Sequence, residues 1–129
     1  MTSEPTPLRV IGPPGTQRVV DGVPCPGLDE LCAGADVYVQ TGLRADVIGL
    51  VNSARLREIV TYHSTIEQAA QTAERAGVRI FLPTHFLPAI APGDEDTWRK
   101  LAAAHFSGES VIGGDLTAVS VGPDADPPG

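Results

Sequence analysis

Apolar and polar positions repeat with a helical period between residues 65 and 76. The spacing i, i+3, i+4, i+7 is that of a helix with one buried face. Ser64 is followed three residues later by Glu67, a Ser-x-x-Glu capping box, so we predict that Ser64 caps the helix and Thr65 begins it. Gly77 predicts its end. The apolar residues of the buried face are Ile66, Ala69, Ala70, Ala73 and Ala76.

Shorter patterns on both sides of this helix predict further elements. Helices are predicted at residues 28–33, 44–60 and 94–105, and strands at residues 8–11, 19–20, 36–41 and 78–82. Residues 110–112 and 116–121 predict two more strands, which the Gly113-Gly114-Asp115 connection would join as an antiparallel hairpin. Strands that alternate with helices favour a layered α/β domain.

The length of 129 residues predicts one domain with a sizeable core. We expect a flexible N-terminus at residues 1–7, a single α/β domain at residues 8–121 and a disordered tail at residues 122–129, because the two ends are rich in Pro, Gly and polar residues.

The composition narrows the class of protein. Hydrophobic residues make up 42% and charged residues 19%, as in globular domains. The net charge of −7 disfavours non-specific binding to nucleic acid. No apolar stretch reaches membrane-helix length and no signal-peptide pattern is seen, so we expect a cytoplasmic protein. Cys25 and Cys32 lack metal-site spacing and are expected to be free, buried thiols.

Two of the three histidines fall where ligands usually bind in α/β proteins. His63 precedes the capped helix and His85 follows the strand at residues 78–82, which places both at the edge where strands end and helices begin. His105, beside Phe106, is expected to have a surface or packing role. Asp21, in a turn rich in Gly and Pro, could bridge metal ions or could cap its own backbone.

Four motifs together resemble the metallo-β-lactamase superfamily, and within it the ribonuclease Z-like and related phosphodiesterase or arylsulfatase-type hydrolases. The motifs lie at residues 19–31, 33–39, 63–65 (His-Ser-Thr) and 84–86 (Thr-His-Phe). The resemblance covers residues 19–121 and corresponds to the C-terminal half of that fold. It implies that Asp21 bridges two metal ions, that His85 is a metal ligand, and that His63 approaches the scissile phosphate as a proton donor. Two zinc ions would then activate water for attack on an ester.

The sequence departs from this family at several positions. The family's main metal motif, His-x-His-x-Asp-His, is absent from the 129 residues, and Val39-Gln40 stands where the family usually has His-Glu. We therefore expect half of an αββα sandwich: a truncated or degenerate hydrolase, weak or inactive alone, with an incomplete zinc site.

A lone half would expose the sheet face that a second layer normally covers. We expect a homo-oligomer, or a complementing chain that carries the His-x-His-x-Asp-His motif. The alternative is a non-catalytic dimerisation or interaction module. Neither a membrane nor, for this chain alone, a nucleic acid is an expected partner.

Overall fold

Helices and strands alternate along the part of the chain that the computed structural model describes, residues 24–121. In chain order these elements are α1 (Pro26–Cys32), β1 (Val37–Leu43), α2 (Ala45–Ile48), α3 (Ala54–Ile59), α4 (Ile66–Ala76), β2 (Ile80–Leu87), α5 (Glu95–Ala103) and β3 (Glu109–Ser110). The mixed α/β class predicted from the sequence is confirmed.

The three described strands form one parallel sheet in the order β1-β2-β3. β1 pairs with β2 along almost its whole length, from Val37 opposite Ile80 to Leu43 opposite Leu87. β3 pairs only with Ile80 and Phe81, so the second half of β2 has β1 as its sole described neighbour.

The core lies on one face of this sheet, against α1, α4 and α5. Tyr38 and Phe81 are opposite each other in the register and point to this face, where their rings stack at 5.9 Å. Burial raises the pKa of Tyr38 to about 12, so its hydroxyl stays neutral. The hydroxyl oxygen accepts a hydrogen bond from Gln40 Nε2 at 3.1 Å. The helix residues that pack there include Leu28, Ile66, Ala69, Ala73, Trp98 and Ala102.

The opposite face is only partly covered, because side chains alternate along a strand. Val39 and Leu82 are paired in the register and point away from the helices. Val39 is 56% exposed. A partly bare apolar face is what the sequence predicts for a single layer of a sandwich.

The N-terminus of α4 differs by one residue from the prediction. The cap is Thr65 rather than Ser64: its hydroxyl accepts from the backbone N–H of Gln68 at 3.1 Å, and the Gln68 side chain accepts from the Thr65 N–H at 3.0 Å. Ser64 is fully buried, and its carbonyl accepts from the N–H of Leu43 instead. Gly77 ends the helix with a φ of +67°, as predicted.

Thr65→Ala is expected to lower the free energy of unfolding by about 1 kcal/mol, because the Gln68 N–H at the start of α4 loses its acceptor and the capping box is broken. Urea unfolding followed by circular dichroism measures this loss. Thr65→Ser keeps the capping oxygen and should cost only a few tenths of that; equal losses for both variants would show that the cap does not stabilise the protein.

Two predicted elements are wrong. The helix expected at residues 44–60 is split into α2 and α3, because residues 49–53 leave the helix and the Ser53 hydroxyl caps a new one by accepting from the Leu56 N–H. The C-terminal hairpin is not formed: β3 is parallel to β2, and residues 116–121 form no strand. Leu116 has a φ of +67°, which breaks an extended strand.

The strand predicted at residues 78–82 begins too early and is shorter than the observed strand, because β2 runs from Ile80 to Leu87. Cys25 and Cys32 are free, as predicted, but half-buried rather than buried. The strands expected at residues 8–11 and 19–20, Asp21, and the predicted terminal segments lie outside the described residues. Within residues 24–121, no helix is long and apolar enough to span a membrane.

Candidate functional site

Three chain segments meet at the carboxyl edge of the β1–β2 pair. The Leu43 N–H donates to the Ser64 carbonyl at 3.3 Å, and Leu43 forms an isolated parallel bridge with Thr65. The Arg44 N–H donates to the Leu87 carbonyl at 2.9 Å. These backbone bonds hold the ends of both strands against the start of α4, so the side chains on either side of them share one edge.

His63 enters this edge from the turn between α3 and α4. Its N–H donates to the Ile59 carbonyl at 3.1 Å, and its ring meets Tyr62 edge-on with centroids 4.9 Å apart. The Nδ1 atom is buried and has no hydrogen-bond partner among the described residues. A buried polar atom without a partner costs about 1–3 kcal/mol, which is a reason to look for a ligand or a missing group beside it.

His85 lies inside β2, not past its end as the sequence predicted. Its φ of +49° is left-handed, which is uncommon for a residue other than glycine. The register explains how a strand accommodates it: from Thr41 to Leu43, β1 advances two residues while β2 advances three, from Thr84 to Leu87. The extra residue in β2 is a bulge-like irregularity that turns the exposed His85 out of the regular alternation.

The two histidines are therefore brought together from positions 22 residues apart in the sequence. Their ring centroids are 6.0 Å apart and the ring planes meet at 75°. His105 is not part of this pair; it is exposed, and its Nδ1 lies 3.4 Å from the Gln71 amide nitrogen. The three histidines thus separate into a pair at the carboxyl edge and one surface residue.

A series of substitutions at His85 tests whether its backbone is strained. His85→Ala should change the free energy of unfolding by less than about 0.5 kcal/mol, because the side chain is exposed. His85→Gly should raise it by up to about 1 kcal/mol, since glycine tolerates positive φ. Urea unfolding compares the two variants. A loss above about 2 kcal/mol in His85→Ala would contradict this and indicate a buried or liganded side chain.

The Arg44 side chain at this edge is already paired with two carboxylates. The Arg44 guanidinium donates to Asp46 at 2.8 Å, lies 3.6 Å from Asp94 and sits 5.8 Å from the centre of the Trp98 ring. The hydrogen bond from Arg44 lowers the pKa of Asp46, so the pair stays ionised at neutral pH. Arg44 is therefore committed to structural contacts rather than available to an anion.

An open cleft of about 550 Å³ begins at His85 and runs along the bare face of the sheet. Val39 and Leu82 form its floor, and the segment at residues 113–117 forms one wall. Ala89 and Ile90, after the end of β2, also line it. Val39 contributes an apolar side chain and no metal donor. By the resemblance described above, this position usually holds a histidine in the metallo-β-lactamase family.

Sequence reasoning missed two parts of this region. Tyr62 packs against His63, and its adjacency to the His-Ser-Thr motif was the available signal. In the sequence, Gly113-Gly114-Asp115 predicts a hairpin connection and residues 116–121 predict the strand after it, because Gly-Gly-Asp is typical of such turns. In the structure residues 113–117 line the cleft, with a turn in which the Thr117 N–H donates to the Gly114 carbonyl.

Comparison with known proteins shows which proteins this chain is similar to. No family model matches the chain. Curated ribonuclease Z proteins match the chain. The ribonuclease Z of Mycolicibacterium gilvum is 52% identical over 103 residues, and the ribonuclease Z of Mycobacterium tuberculosis strain H37Rv is 48% identical over 103 residues. Each match covers 80% of this chain. The chain is a relative of ribonuclease Z. The resemblance predicted from the His-Ser-Thr and Thr-His-Phe motifs is confirmed.

The chain spans less than half the length of these ribonuclease Z relatives. It covers 36% of the M. gilvum protein and 38% of the M. tuberculosis protein. Among solved structures, the metallo-beta-lactamase fold protein YhfI from Bacillus subtilis aligns with 67% of this chain and 31% of its own, at 24% identity and a TM-score of 0.49.

The metal site implied by the resemblance to ribonuclease Z can be tested against the donors present. A hydrolytic zinc site takes three protein ligands and an open position. Within residues 24–121, no group of three or more His, Cys, Asp or Glu side chains is placed to hold a metal ion. His63 and His85 supply two nitrogen donors at most. The described residues therefore do not fit a complete zinc centre, although Asp21 lies outside them.

Proposed function

We propose that this chain is part of a ribonuclease Z-like hydrolase of phosphodiester bonds, and that these 129 residues alone are weakly active or inactive. The observation that carries the proposal is the pairing of His63 and His85 at the carboxyl edge, in a chain that is 52% identical to the ribonuclease Z of M. gilvum over 103 residues. We further propose a cytoplasmic location, as the sequence analysis expects.

The roles proposed for the two histidines differ because their surroundings differ. His63 stands just before the N-terminus of an eleven-residue helix, where the helix dipole favours an anion such as a phosphodiester. There it would contact the substrate and give a proton to the leaving oxygen. His85 is exposed beside it and would hold a metal ion. Asp21 and donors that the described residues lack would complete the set of ligands.

The donor set explains why low activity is proposed for the chain alone. Two histidines cannot hold a metal ion tightly enough for hydrolysis, and the nearby Arg44 is occupied by Asp46 and Asp94. We propose that a polypeptide with the His-x-His-x-Asp-His motif supplies the remaining donors. The specific observation that favours this is the buried, unpartnered Nδ1 of His63.

Hydrolysis of bis(4-nitrophenyl) phosphate tests the proposal. With zinc or manganese added, the chain alone should not exceed the metal blank by more than a small factor. Co-expression with the part of M. gilvum ribonuclease Z that this chain does not match should raise the rate. His63→Ala should then lower that rate by about 10²-fold or more, as should His85→Ala, and His105→Ala should leave it unchanged.

Two results would overturn the proposal. One is strong hydrolysis by the chain alone that survives both His63→Ala and His85→Ala, because the site would then lie elsewhere. The other is a co-expressed complex that forms and binds metal but hydrolyses no phosphodiester; that result would favour the second candidate function, a non-catalytic interaction module. This candidate is also supported by the incomplete donor set at residues 24–121.

A further inference from the structure

Tyr62 is exposed, yet its ring packs against the candidate site. It is 43% exposed and does not belong to the core cluster on the helix-covered face of the sheet. The other tyrosine of the chain, Tyr38, is buried within that cluster. The Tyr62 ring instead meets the His63 ring, with the two centroids 4.9 Å apart and an angle of 61° between the ring planes. Packing of the core therefore does not account for the position of Tyr62.

The His63 imidazole lacks the hydrogen bond that usually fixes the ring of a functional histidine. In such histidines one ring nitrogen often bonds to a carboxylate or a backbone carbonyl, which sets the tautomer and the orientation of the ring. Nδ1 of His63 is buried and has no such partner among residues 24–121. The backbone bond from the His63 N–H to the Ile59 carbonyl fixes the main chain but leaves the side-chain torsions free. The rings packed beside the imidazole must therefore hold its orientation.

Two rings lie beside this imidazole, and Tyr62 is the closer one. His85 is 6.0 Å away between centroids and is itself exposed, on the irregular part of β2. Tyr62 has the edge-on geometry that aromatic pairs prefer. Its backbone is anchored in the turn after α3, where its N–H donates to the Ile59 carbonyl at 3.2 Å and the Thr61 hydroxyl donates to the Glu58 carbonyl at 2.7 Å. An anchored ring thus packs against a histidine whose Nδ1 has no hydrogen bond.

We propose that Tyr62 is a positioning residue for His63, and that its ring holds the imidazole at the carboxyl edge in the orientation needed for proton transfer. The inference rests on the proposed function for this last step, in which the imidazolium gives its proton to the leaving oxygen and becomes neutral. Tyr62 exchanges no proton. A general acid must lie within hydrogen-bond reach of the leaving oxygen, and a displacement of about 1 Å can cost about 10²-fold in rate. Because the ring and not the hydroxyl makes the contact, phenylalanine should replace tyrosine.

Proton NMR of the 129-residue chain tests the positioning without any need for hydrolysis. In the wild-type chain the Hα–Hβ couplings of His63 should be those of a single side-chain rotamer, and nuclear Overhauser effects should connect the rings of Tyr62 and His63. Tyr62→Ala should give couplings averaged over several rotamers, whereas Tyr62→Phe should keep the wild-type values. Leu50→Ala is the control, because it removes an apolar side chain that is 86% exposed; it should leave the His63 couplings unchanged.

Kinetics of the complex co-expressed with the unmatched part of M. gilvum ribonuclease Z test the effect on the reaction. Tyr62→Ala should lower kcat for bis(4-nitrophenyl) phosphate by about 10-fold and change KM by less than about two-fold, because the ring affects proton transfer and not the binding of the ester. Tyr62→Phe should restore at least about half of the wild-type kcat.

Circular dichroism must show that the variants are folded, and Tyr62→Leu replaces Tyr62→Ala if the latter is unfolded. The proposal is overturned if the His63 side chain samples several rotamers in the wild-type chain, or if it stays in one rotamer without the Tyr62 ring. An active complex in which Tyr62→Ala raises KM and leaves kcat unchanged overturns it as well. A wild-type complex that hydrolyses nothing would overturn the proposed function instead, and the NMR comparison would still decide whether Tyr62 holds the ring.

Discussion

Phe81→Ala is expected to lower the free energy of unfolding by about 3–5 kcal/mol, the usual cost of removing a buried aromatic ring. Phe81 is fully buried at the centre of the sheet. Its ring stacks on Tyr38 at 5.9 Å and meets Phe106 edge-on at 6.2 Å. Alanine would leave a cavity between the sheet and the loop that follows α5, and the aromatic contacts on both sides would be lost.

Such a loss is large compared with the 5–15 kcal/mol that stabilises an ordinary domain. Urea unfolding followed by the fluorescence of Trp98, the single tryptophan, measures it. Phe81→Leu keeps most of the volume and should cost clearly less. A change below about 1 kcal/mol in Phe81→Ala would mean that the sheet and helices do not pack as described.

Trp98→Ala is expected to cost a similar amount, about 3–5 kcal/mol, and also to disturb the candidate site. Trp98 is 1% exposed on α5. Its ring meets Phe86 edge-on at 5.1 Å, and the Arg44 guanidinium lies 5.8 Å from its centre. Phe86 directly follows His85, so the indole ring supports the strand segment that holds this histidine.

The stability loss can be followed by circular dichroism during urea unfolding, since the variant has no tryptophan fluorescence. Proton NMR of the imidazole rings reads the effect on the site, and the His85 signal should shift or broaden. Leu50→Ala is the control for an exposed apolar residue and should change stability by less than about 0.5 kcal/mol. Unchanged stability together with an unchanged His85 signal would contradict the role given to Trp98.

The sequence predicted those parts of the fold that local patterns determine. The spaced alanines and Gly77 predicted α4. A helix that packs on one face requires small or apolar residues at helical spacing, and a left-handed residue at its C-terminus is usually glycine. The motifs around His63 and His85 placed both side chains at the carboxyl edge. The predicted cap of α4, Ser64, is one residue away from the observed cap, Thr65. Both residue types can cap a helix, and the hydrogen bond from the Leu43 N–H to the Ser64 carbonyl decides between them.

Other features depend on contacts between distant segments and could not be predicted locally. The irregular register around His85 arises only when β2 pairs with β1. Gly113-Gly114-Asp115 has the composition of a hairpin turn, but β3 pairs in parallel with β2 and the chain then crosses beside the sheet face. The break between α2 and α3 was signalled by Asn52 and Ser53, whose low helix propensity was outweighed in the prediction by the surrounding apolar spacing.

The central claim is that this chain carries one part of a ribonuclease Z-like site, the His63–His85 pair, and that residues 24–121 lack the donors of a complete metal centre. Zinc and manganese stoichiometry tests it most directly, measured by plasma mass spectrometry on protein purified without chelator or affinity-tag metal. The account predicts a value near zero, also after incubation with excess zinc and desalting. One or more tightly held equivalents per chain, lost in His85→Ala and retained in His105→Ala, would contradict it.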